Sequence, residues 1–473
     1  MRNYAEYDGL GLAALVRKGE ASPAELLEAA IERIERHNGV LNAVVHKAYD
    51  EARRVAPGKL PDGPFTGVPF LIKDLGVRVK SWPRTSGSRF ACVDADAEDS
   101  ELTTRFRAAG VVLVGKTNTP EFGIPGVTTS ARLGPCRNPW NPEHISGGSS
   151  GGAAAAVASG MVALAHASDG LGSIRIPAAC CGLVGMKTTR DRNPNGQHDS
   201  DRAIGFSVDH IVSRTVRDSA AMLDATGYPE PASPFAYPAK ARPYLEEASA
   251  SPGKMRIAWS SETPTGNPID PEVRAALERT AETLAALGHD VREEGLGIDY
   301  RALYRAQGFV SAANLAAGIK RWVEIKGREP EGDIEGLARR GYEAGKKMSG
   351  ADALWAWQQL RLMNRQILAR FEAWDVYLTP VMCTPPPRVD YLDTLMEDLK
   401  EFDRRQAATF GFTPPFNMTG QPSLSLPVWQ SKAGLPIAMM FTARYADEAT
   451  LFRLAGQLEK ELPWAARRPQ VWG

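Results

Sequence analysis

Two serines and a lysine lie where their side chains could do covalent chemistry. Ser149 belongs to the stretch GGSSGG at residues 147–152, which runs directly into four alanines. Alanine is the best helix former, so the stretch is predicted to be a glycine loop at a helix N-terminus rather than a linker. Such a terminus presents unpaired N–H groups and the positive end of the helix dipole. The loop therefore offers hydroxyls beside backbone donors.

Two common glycine motifs fit this loop poorly. Residues 147–151 match G-x-S-x-G, the nucleophile elbow of α/β-hydrolases, but an elbow needs a strand directly before it. The preceding residues, NPWNPEHIS, do not read as a strand. A phosphate-binding P-loop needs a lysine after its last glycine, and none is present here.

Ser173 lies in the stretch ASDGLGSIRIPAAC at residues 167–180. A strand is predicted to end at about Ser168 and a short helix to occupy Ile174–Pro177. Consecutive N–H groups at such a turn can face one point, which is the geometry of an oxyanion hole beside a nucleophile. An ordinary N-cap serine would explain the same pattern, so this stretch alone leaves both interpretations open.

Lys73 ends the apolar run in GVPFLIKDL, residues 67–75. A lysine held against a buried strand loses solvation, so its pKa falls and the neutral amine can act as a general base. A simple pairing of Lys73 with Asp74 is the structural alternative. Lysine can activate a serine where no histidine–aspartate pair is suitably placed.

The elements that must position these residues alternate between strands and helices. Together they indicate an α/β fold with a large mixed β-sheet covered by helices on both faces. Ser22 and Glu25 form a predicted capping box with Pro23 at the first helical position, and Gly39 is the predicted end of that helix. Strands are predicted at 67–75, 111–116, 161–168, 255–261, 375–381, 422–429 and 436–443, and further helices at 99–110, 270–287 and 447–462.

Composition narrows the functional class. The 473 residues carry 56 Lys plus Arg and 56 Asp plus Glu, so no overall attraction to nucleic acid or to an anionic membrane is expected. We predict no signal peptide and no membrane span. The five cysteines are odd in number and lack CxxC spacing, which favours reduced thiols in a cytoplasmic protein. The scattered histidines give no support for a metal site, and no cofactor is expected.

Several stretches, taken together, resemble the amidase-signature family. They are GVPFLIKDL, KTNTPEFG at 116–123, GPCRNPWNP at 134–142, GGSSGG and DGLGSIRIPA, and they occur in that family's order and spacing. The resemblance is close over residues 60–190 and weaker towards both ends. It implies the amidase-signature fold, with 1–473 as a single domain, 60–190 as its catalytic core, and 191–250 and 300–415 as variable segments that shape the substrate pocket.

The resemblance also implies a Ser–cis-Ser–Lys triad. Ser173 matches the nucleophile, Ser149 the bridging serine that follows a cis peptide bond, and Lys73 the base. The usual family string is close to D-T-G-G-S, and here Leu171 replaces a glycine. The oxyanion hole would use the N–H groups of Gly170, Leu171, Gly172 and Ser173. The matching supporting residues are Ser150, Asp169 and Arg175.

The substrate is the least determined feature. The C-terminal block resembles the branch that contains the nylon cyclic-oligomer hydrolases and urethanases, which implies a small linear amide or a carbamate cleaved through an acyl-enzyme. The alternative is an A-type glutaminase subunit of a tRNA-dependent amidotransferase, which would need partner chains. Otherwise the expected state is a monomer or homodimer. Possible pocket residues are Arg192, Arg242, Trp322, Phe412 and Phe416.

Overall fold

The structure, a computed structural model, describes residues 1, 3–196, 202–230, 233 and 237–473. Within these residues eleven strands form one sheet. The strands are β1 (Val44–Lys47), β2 (Pro69–Lys73), β3 (Val112–Thr117), β4 (Leu164–Asp169), β5 (Val184–Lys187), β6 (Val208–Ser213), β7 (Arg256–Trp259), β8 (Asp290–Glu293), β9 (Val376–Pro380), β10 (Ser423–Gln430) and β11 (Pro436–Ala443).

Fifteen α-helices accompany the sheet in the same described part of the chain. They are α1 (Gly9–Arg17), α2 (Pro23–Leu41), α3 (Tyr49–Val55), α4 (Glu101–Ala108), α5 (Gly151–Ala158), α6 (Arg175–Cys181), α7 (Val216–Thr226), α8 (Tyr244–Glu247), α9 (Pro271–Ala286), α10 (Tyr300–Lys326), α11 (Gly336–Lys346), α12 (Gly350–Arg370), α13 (Leu399–Thr409), α14 (Pro415–Thr419) and α15 (Glu448–Glu461).

The sheet is mixed, with strand order β1-β3-β2-β4-β6-β5-β10-β11-β9-β7-β8. Strand β2 runs parallel to both β3 and β4, whereas β4, β6, β5, β10, β11 and β9 pair antiparallel in succession. Helices α5 and α6 pack together against the central strands, and α7 and α15 form another packed pair there. The predicted α/β class with a large mixed sheet is confirmed.

Strands β2 and β4 are buried along their whole length, as their apolar sequences predict. Seven strands were predicted and all seven are present. The edge strands β1 (VVHK) and β8 (DVRE) were missed because each is short and half or more of its residues are polar or charged, and the short β5 because Gly185 and Lys187 interrupt its apolar pattern. The central β6 was missed because Asp209 and His210 lie in its middle, where an apolar run was expected.

Helix α2 shows how local signals acted at its two ends. The Glu25 N–H donates to the Ser22 hydroxyl at 3.2 Å, and the Ser22 N–H donates to the Glu25 carboxylate at 2.8 Å, so the capping box is confirmed. The predicted end at Gly39 is wrong. The helix continues to Leu41 and is closed by Asn42, whose φ of 50° is left-handed, a conformation that asparagine tolerates better than most residues.

Among the described residues, every helix is too short or too polar to cross a bilayer.

Candidate active site

The Lys73 amino group lies at the end of β2, fully buried, within reach of three serine hydroxyls. Its Nζ is 2.7 Å from the Oγ of Ser149, 2.8 Å from that of Ser150 and 3.0 Å from that of Ser168. All three serines are buried. The side chain is therefore surrounded by neutral hydroxyls that can exchange protons with it.

Burial holds the pKa of Lys73 well below its usual value. Asp169 opposes this effect by favouring the charged form, and the Arg202 guanidinium reinforces it. The alternative pairing with Asp74 is not the one observed. The Asp74 carboxylate accepts from Thr85 and lies 3.7 Å from Lys116 instead. An uncharged amine at Lys73 is thus favoured by its surroundings.

The glycine–serine loop brings Ser149 to Lys73. It leads into α5 as predicted, and the peptide bond between Gly148 and Ser149 is cis. Gly147 has a φ of 74°, and a Cβ there would lie 2.7 Å from Pro177 Cα of α6. Only glycine fits so close an approach in that conformation. The loop is consequently packed against the helix that begins just after Ser173.

Ser150 connects the loop to β4. Its hydroxyl donates to the Ser168 carbonyl at 3.1 Å and accepts the Ser168 N–H at 3.2 Å, in addition to its contact with Lys73. Ser168 is a site residue that the sequence analysis missed. Its position at the end of a predicted buried strand, one residue before Asp169, was the available signal.

Asp169 fixes the turn that carries Ser173, which we call the serine turn. Its carboxylate accepts the N–H of Gly172 at 2.6 Å and that of Ile174 at 3.2 Å. It also forms a buried fork with Arg175, whose Nε and Nη2 lie 2.9 and 3.0 Å away. Burial alone would raise the pKa of Asp169, but Arg175 brings it well below its usual value. The turn is thereby held around a permanent negative charge.

This arrangement corrects one predicted oxyanion donor. The Gly172 N–H points to the Asp169 carboxylate, so it does not face the substrate side of the turn. Within the described residues, the N–H groups of Gly170, Leu171 and Ser173 make no hydrogen bond. Those three donors remain free to meet a substrate oxygen.

Two residues from the C-terminal part complete the turn. Asn417 of α14 donates to the Asp169 carbonyl at 3.0 Å and accepts from Arg175 Nη2 at 2.5 Å. The Thr413 carbonyl accepts from Arg175 Nη1 at 2.9 Å, and the Thr413 hydroxyl donates to the Leu171 carbonyl at 2.6 Å. Both residues were missed, since more than 200 positions separate them from the turn and no local pattern marks them.

The two arginines predicted as pocket residues form ion pairs with glutamates. Arg192 is buried, pairs with Glu448 at 2.8 Å and lies over the Tyr237 ring. Arg242 is half-exposed and pairs with Glu247 at 2.9 Å. These contacts tie segments of the chain together, and a pocket role for the two arginines stays a prediction. Residues 197–201, 231, 232 and 234–236 of the predicted variable segment 191–250 lie outside the described part of the chain.

The three aromatic residues predicted for the pocket, Trp322, Phe412 and Phe416, lie in separate regions. Phe412 and Phe416 are buried, and Phe412 precedes the Thr413 that contacts the serine turn. Trp322 of α10 and Phe122 both pack against one small apolar cluster. A Cβ added at Gly123, the neighbour of Phe122, would lie 3.0 Å from the Ser149 hydroxyl.

A second apolar cluster meets the turn at Leu171, the residue that departs from the family string. Leu171 is half-buried there. We call this group the Leu171 cluster; its members include Leu171, Phe206, Leu303, Phe309, Val310, Trp357 and Met418. Apolar surface therefore adjoins both serines, on α10 and the segments packed against it.

The fold and this site define a hydrolase class. The profile of the family described as Amidase matches residues 25–452. The chain therefore belongs to the amidase-signature family, as the sequence indicated, and it is a hydrolase of amide C–N bonds.

Particular relatives are similar along nearly the whole length. The 6-aminohexanoate-cyclic-dimer hydrolase of Paenarthrobacter ureafaciens is 38% identical over 482 residues, covering 98% of this chain and 96% of that protein. A solved structure of a 6-aminohexanoate cyclic dimer hydrolase complexed with substrate superposes with a TM-score of 0.92 at 36% identity, covering 99% of each chain. A bacterial aryl acylamidase structure gives 0.88 at 26% identity, covering 98% of this chain and 99% of that one.

Proposed function

We propose that this enzyme cleaves the C–N bond of a small amide or carbamate through an acyl-enzyme on Ser173. The observation that carries the proposal is the Lys73 amine, fully buried and 2.7 Å from the Ser149 hydroxyl. A neutral amine in that position can start a proton relay without a histidine.

The relay moves one proton per step. Lys73 takes the hydroxyl proton of Ser149, Ser149 takes that of Ser173, and the Ser173 oxygen attacks the carbonyl carbon. The N–H groups of Gly170, Leu171 and Ser173 stabilise the resulting oxyanion. Ser149 then gives a proton to the leaving nitrogen and takes one back from Lys73, and the C–N bond breaks to release the amine.

Water completes the cycle by the same route. It loses a proton through Ser149 to Lys73 and attacks the acyl carbon. Ser173 then leaves and takes that proton back through Ser149, and a carboxylic acid is released. With a carbamate, the amine departs first and the remaining carbonate half-ester loses CO₂ to give an alcohol. No cofactor enters any of these steps.

Two features support a compact, largely apolar substrate. The Leu171 cluster places hydrocarbon beside the serine turn, where the chain of a bound amide would lie. The names of the similar hydrolases refer to a cyclic dimer of 6-aminohexanoate, an aliphatic amide. Cyclic and linear aliphatic amides, and carbamates of similar size, are therefore the substrates to test first.

A substrate panel tests the proposal. Anilides, linear and cyclic alkyl amides, carbamates, esters and glutamine are offered to the wild type, to Ser173→Ala and to Ser159→Ala, whose hydroxyl only caps α5. We expect cleavage of at least one amide or carbamate, a loss of about 10³-fold or more with Ser173→Ala, and near-wild-type rates with Ser159→Ala.

Trapping with a slow ester, followed by intact-mass measurement, shows whether acyl groups accumulate on Ser173. Full activity in Ser173→Ala would refute the mechanism. Cleavage of glutamine alone would favour the amidotransferase-subunit alternative.

A further inference from the structure

We propose that His166 and Asp209 are positioning residues that hold the base, Lys73, through its own backbone. This inference rests on the proposed function, since it assigns a role relative to the catalytic lysine. Neither side chain touches the reacting hydroxyls.

The first observation concerns how the end of β2 is held. Between β2 and β4 the ladder pairs only Leu71 with Ala165. Two residues later the Lys73 N–H meets no carbonyl of β4 and donates instead to His166 Nδ1 at 3.2 Å. An imidazole therefore continues the ladder where the backbone pairing stops, directly behind the catalytic side chain.

The second observation fixes the imidazole. Because Nδ1 accepts a hydrogen bond, the ring proton lies on Nε2, which donates to the Asp209 carboxylate at 3.0 Å. Asp209 is held in turn by an ion pair with Arg202 and by Asn193, which donates to its carbonyl at 2.6 Å. The His166 ring also packs 5.7 Å from the Phe106 ring. The acceptor aimed at Lys73 thus has one orientation.

Burial is the main reason that His166 stays neutral. It lowers the pKa of the ring well below the usual value, and positive charge on Arg202, on Lys116 and on Lys73 when that amine is protonated lowers it further. A protonated ring would have no acceptor for the Lys73 N–H. Asp169 and Arg202 are the other charged groups that act on Lys73.

The consequence is a defined path for the lysine side chain. With its backbone pinned, Lys73 reaches Ser149, Ser150 and Ser168 together. Without the hydrogen bond from the Lys73 N–H to His166, the end of β2 can shift and water can enter beside the amine. Better solvation would raise the pKa of Lys73 and move the acid limb of activity to higher pH.

Replacing His166 by asparagine or by glutamine separates its contact with the Lys73 N–H from its contact with Asp209. His166→Asn places its amide where Nδ1 lies and can still accept from Lys73, whereas His166→Gln extends towards Asp209 and loses that acceptor. We expect His166→Asn to keep kcat within about threefold, and His166→Gln to lose tenfold or more with KM within about twofold. The acid limb of kcat/KM should move to higher pH in the Gln variant only.

The matched control is His210→Gln. His210 is the next residue after Asp209 in β6, equally buried, but it contacts Ser219 of α7. It should alter stability without moving the pH profile. If His166→Gln does not fold by near-UV circular dichroism, Asp209→Ala carries the same comparison, because it releases the far side of the ring.

Ser173→Ala is assayed alongside on the best substrate from the panel. If Ser173→Ala is inactive while His166→Gln (or Asp209→Ala in its place) matches wild type in kcat and acid limb, the inference is overturned and the proposed function stands. Equal losses in the Asn and Gln variants without a pH shift would also overturn it. Full activity in Ser173→Ala would overturn both.

Discussion

At the scale of single residues, the site depends on removing water from a lysine. An exposed amine is protonated at neutral pH and cannot accept a proton. Lys73 is instead enclosed by hydroxyls and by the ends of two strands. The same burial that disfavours the charged ammonium leaves the amine unprotonated, so that it can accept a proton.

Substituting the lysine tests this directly. Lys73→Met should lower kcat/KM by about 10²- to 10⁴-fold, the usual contribution of a general base. In the wild type, activity should rise with pH as Lys73 loses its proton, and this should happen below the ordinary lysine range because burial lowers the pKa. Stopped assays across a pH series measure both effects.

The control is Lys187→Met. Lys187 is also fully buried, also has a pKa well below the usual value because of burial, and donates only to the Thr188 carbonyl. It should leave the acid limb in place. An unchanged acid limb in residual Lys73→Met activity would argue against the assigned base.

At the scale of elements, the serine turn is a short connection between β4 and α6 stabilised from inside. The Asp169 carboxylate accepts backbone N–H groups and forms a two-point ion pair with Arg175. The turn therefore needs no contact with solvent to keep its shape. Buried ion pairs of this kind contribute little net stability, but losing one partner leaves an uncompensated charge.

Asp169→Asn should therefore destabilise the protein by about 3 kcal/mol and lower kcat, because Arg175 keeps its charge without a counter-ion. Chemical denaturation gives the stability, and the amide assay gives kcat. Since the pKa of Asp169 is lowered in the folded state, its contribution is present above the ordinary aspartate pKa and is lost as the pH falls below it.

Asp403→Asn is the matched control. Asp403 forms the same two-point fork with Arg340, at 2.8 Å for each contact, but on the surface. Exposed pairs contribute no more than about 1 kcal/mol. Equal losses in the two variants would mean that burial of the Asp169 fork has no special effect.

The sequence predicted the parts of the site that are local. The alanine run located α5, and the apolar run ending in Lys73 located β2. Contacts between distant segments could not be predicted. No local pattern around Asn417 indicates that it bonds to Asp169, 248 positions away. Strand β6 was missed for a related reason. Its buried polar residues, which contact neighbouring segments, interrupt the apolar run by which a buried strand is recognised.

At the scale of the whole molecule, two carboxyl groups connect three distant segments: one holds the start of α1 to α7, and the other holds the start of α7 to α15. Asp218 of α7 accepts the N–H groups of Gly9 and Leu10, and Glu459 of α15 accepts that of Val216 at 2.9 Å. Burial raises the pKa of Asp218 and of Glu459 to about 7 each.

This predicts a stability that falls with rising pH. Folded Glu459 keeps its proton up to about pH 7, whereas the unfolded chain releases it near the ordinary value of 4.5. The unfolded state thus binds fewer protons in that window, and the free energy of unfolding should fall through it by roughly 3 kcal/mol on account of this group.

Glu459→Gln keeps an acceptor for Val216 and cannot titrate, so its loss of stability between pH 5 and 8 should be smaller. Urea unfolding at several pH values measures it. The exposed Glu461→Gln on the same helix should follow the wild type. A Glu459→Gln slope as steep as that of the wild type would contradict the assignment.

The contacts of Arg175 with Thr413 and Asn417 have a consequence for how the protein comes into being. Lys73, Ser149 and Ser173 leave the ribosome early, but the residues that close the serine turn are made more than 200 positions later. A chain under synthesis already contains the reactive side chains but lacks Thr413 and Asn417, whose contacts hold the serine turn in place. Hydrolytic competence should arrive in one step, near the end of translation, so that growing chains present no premature amidase to the cell.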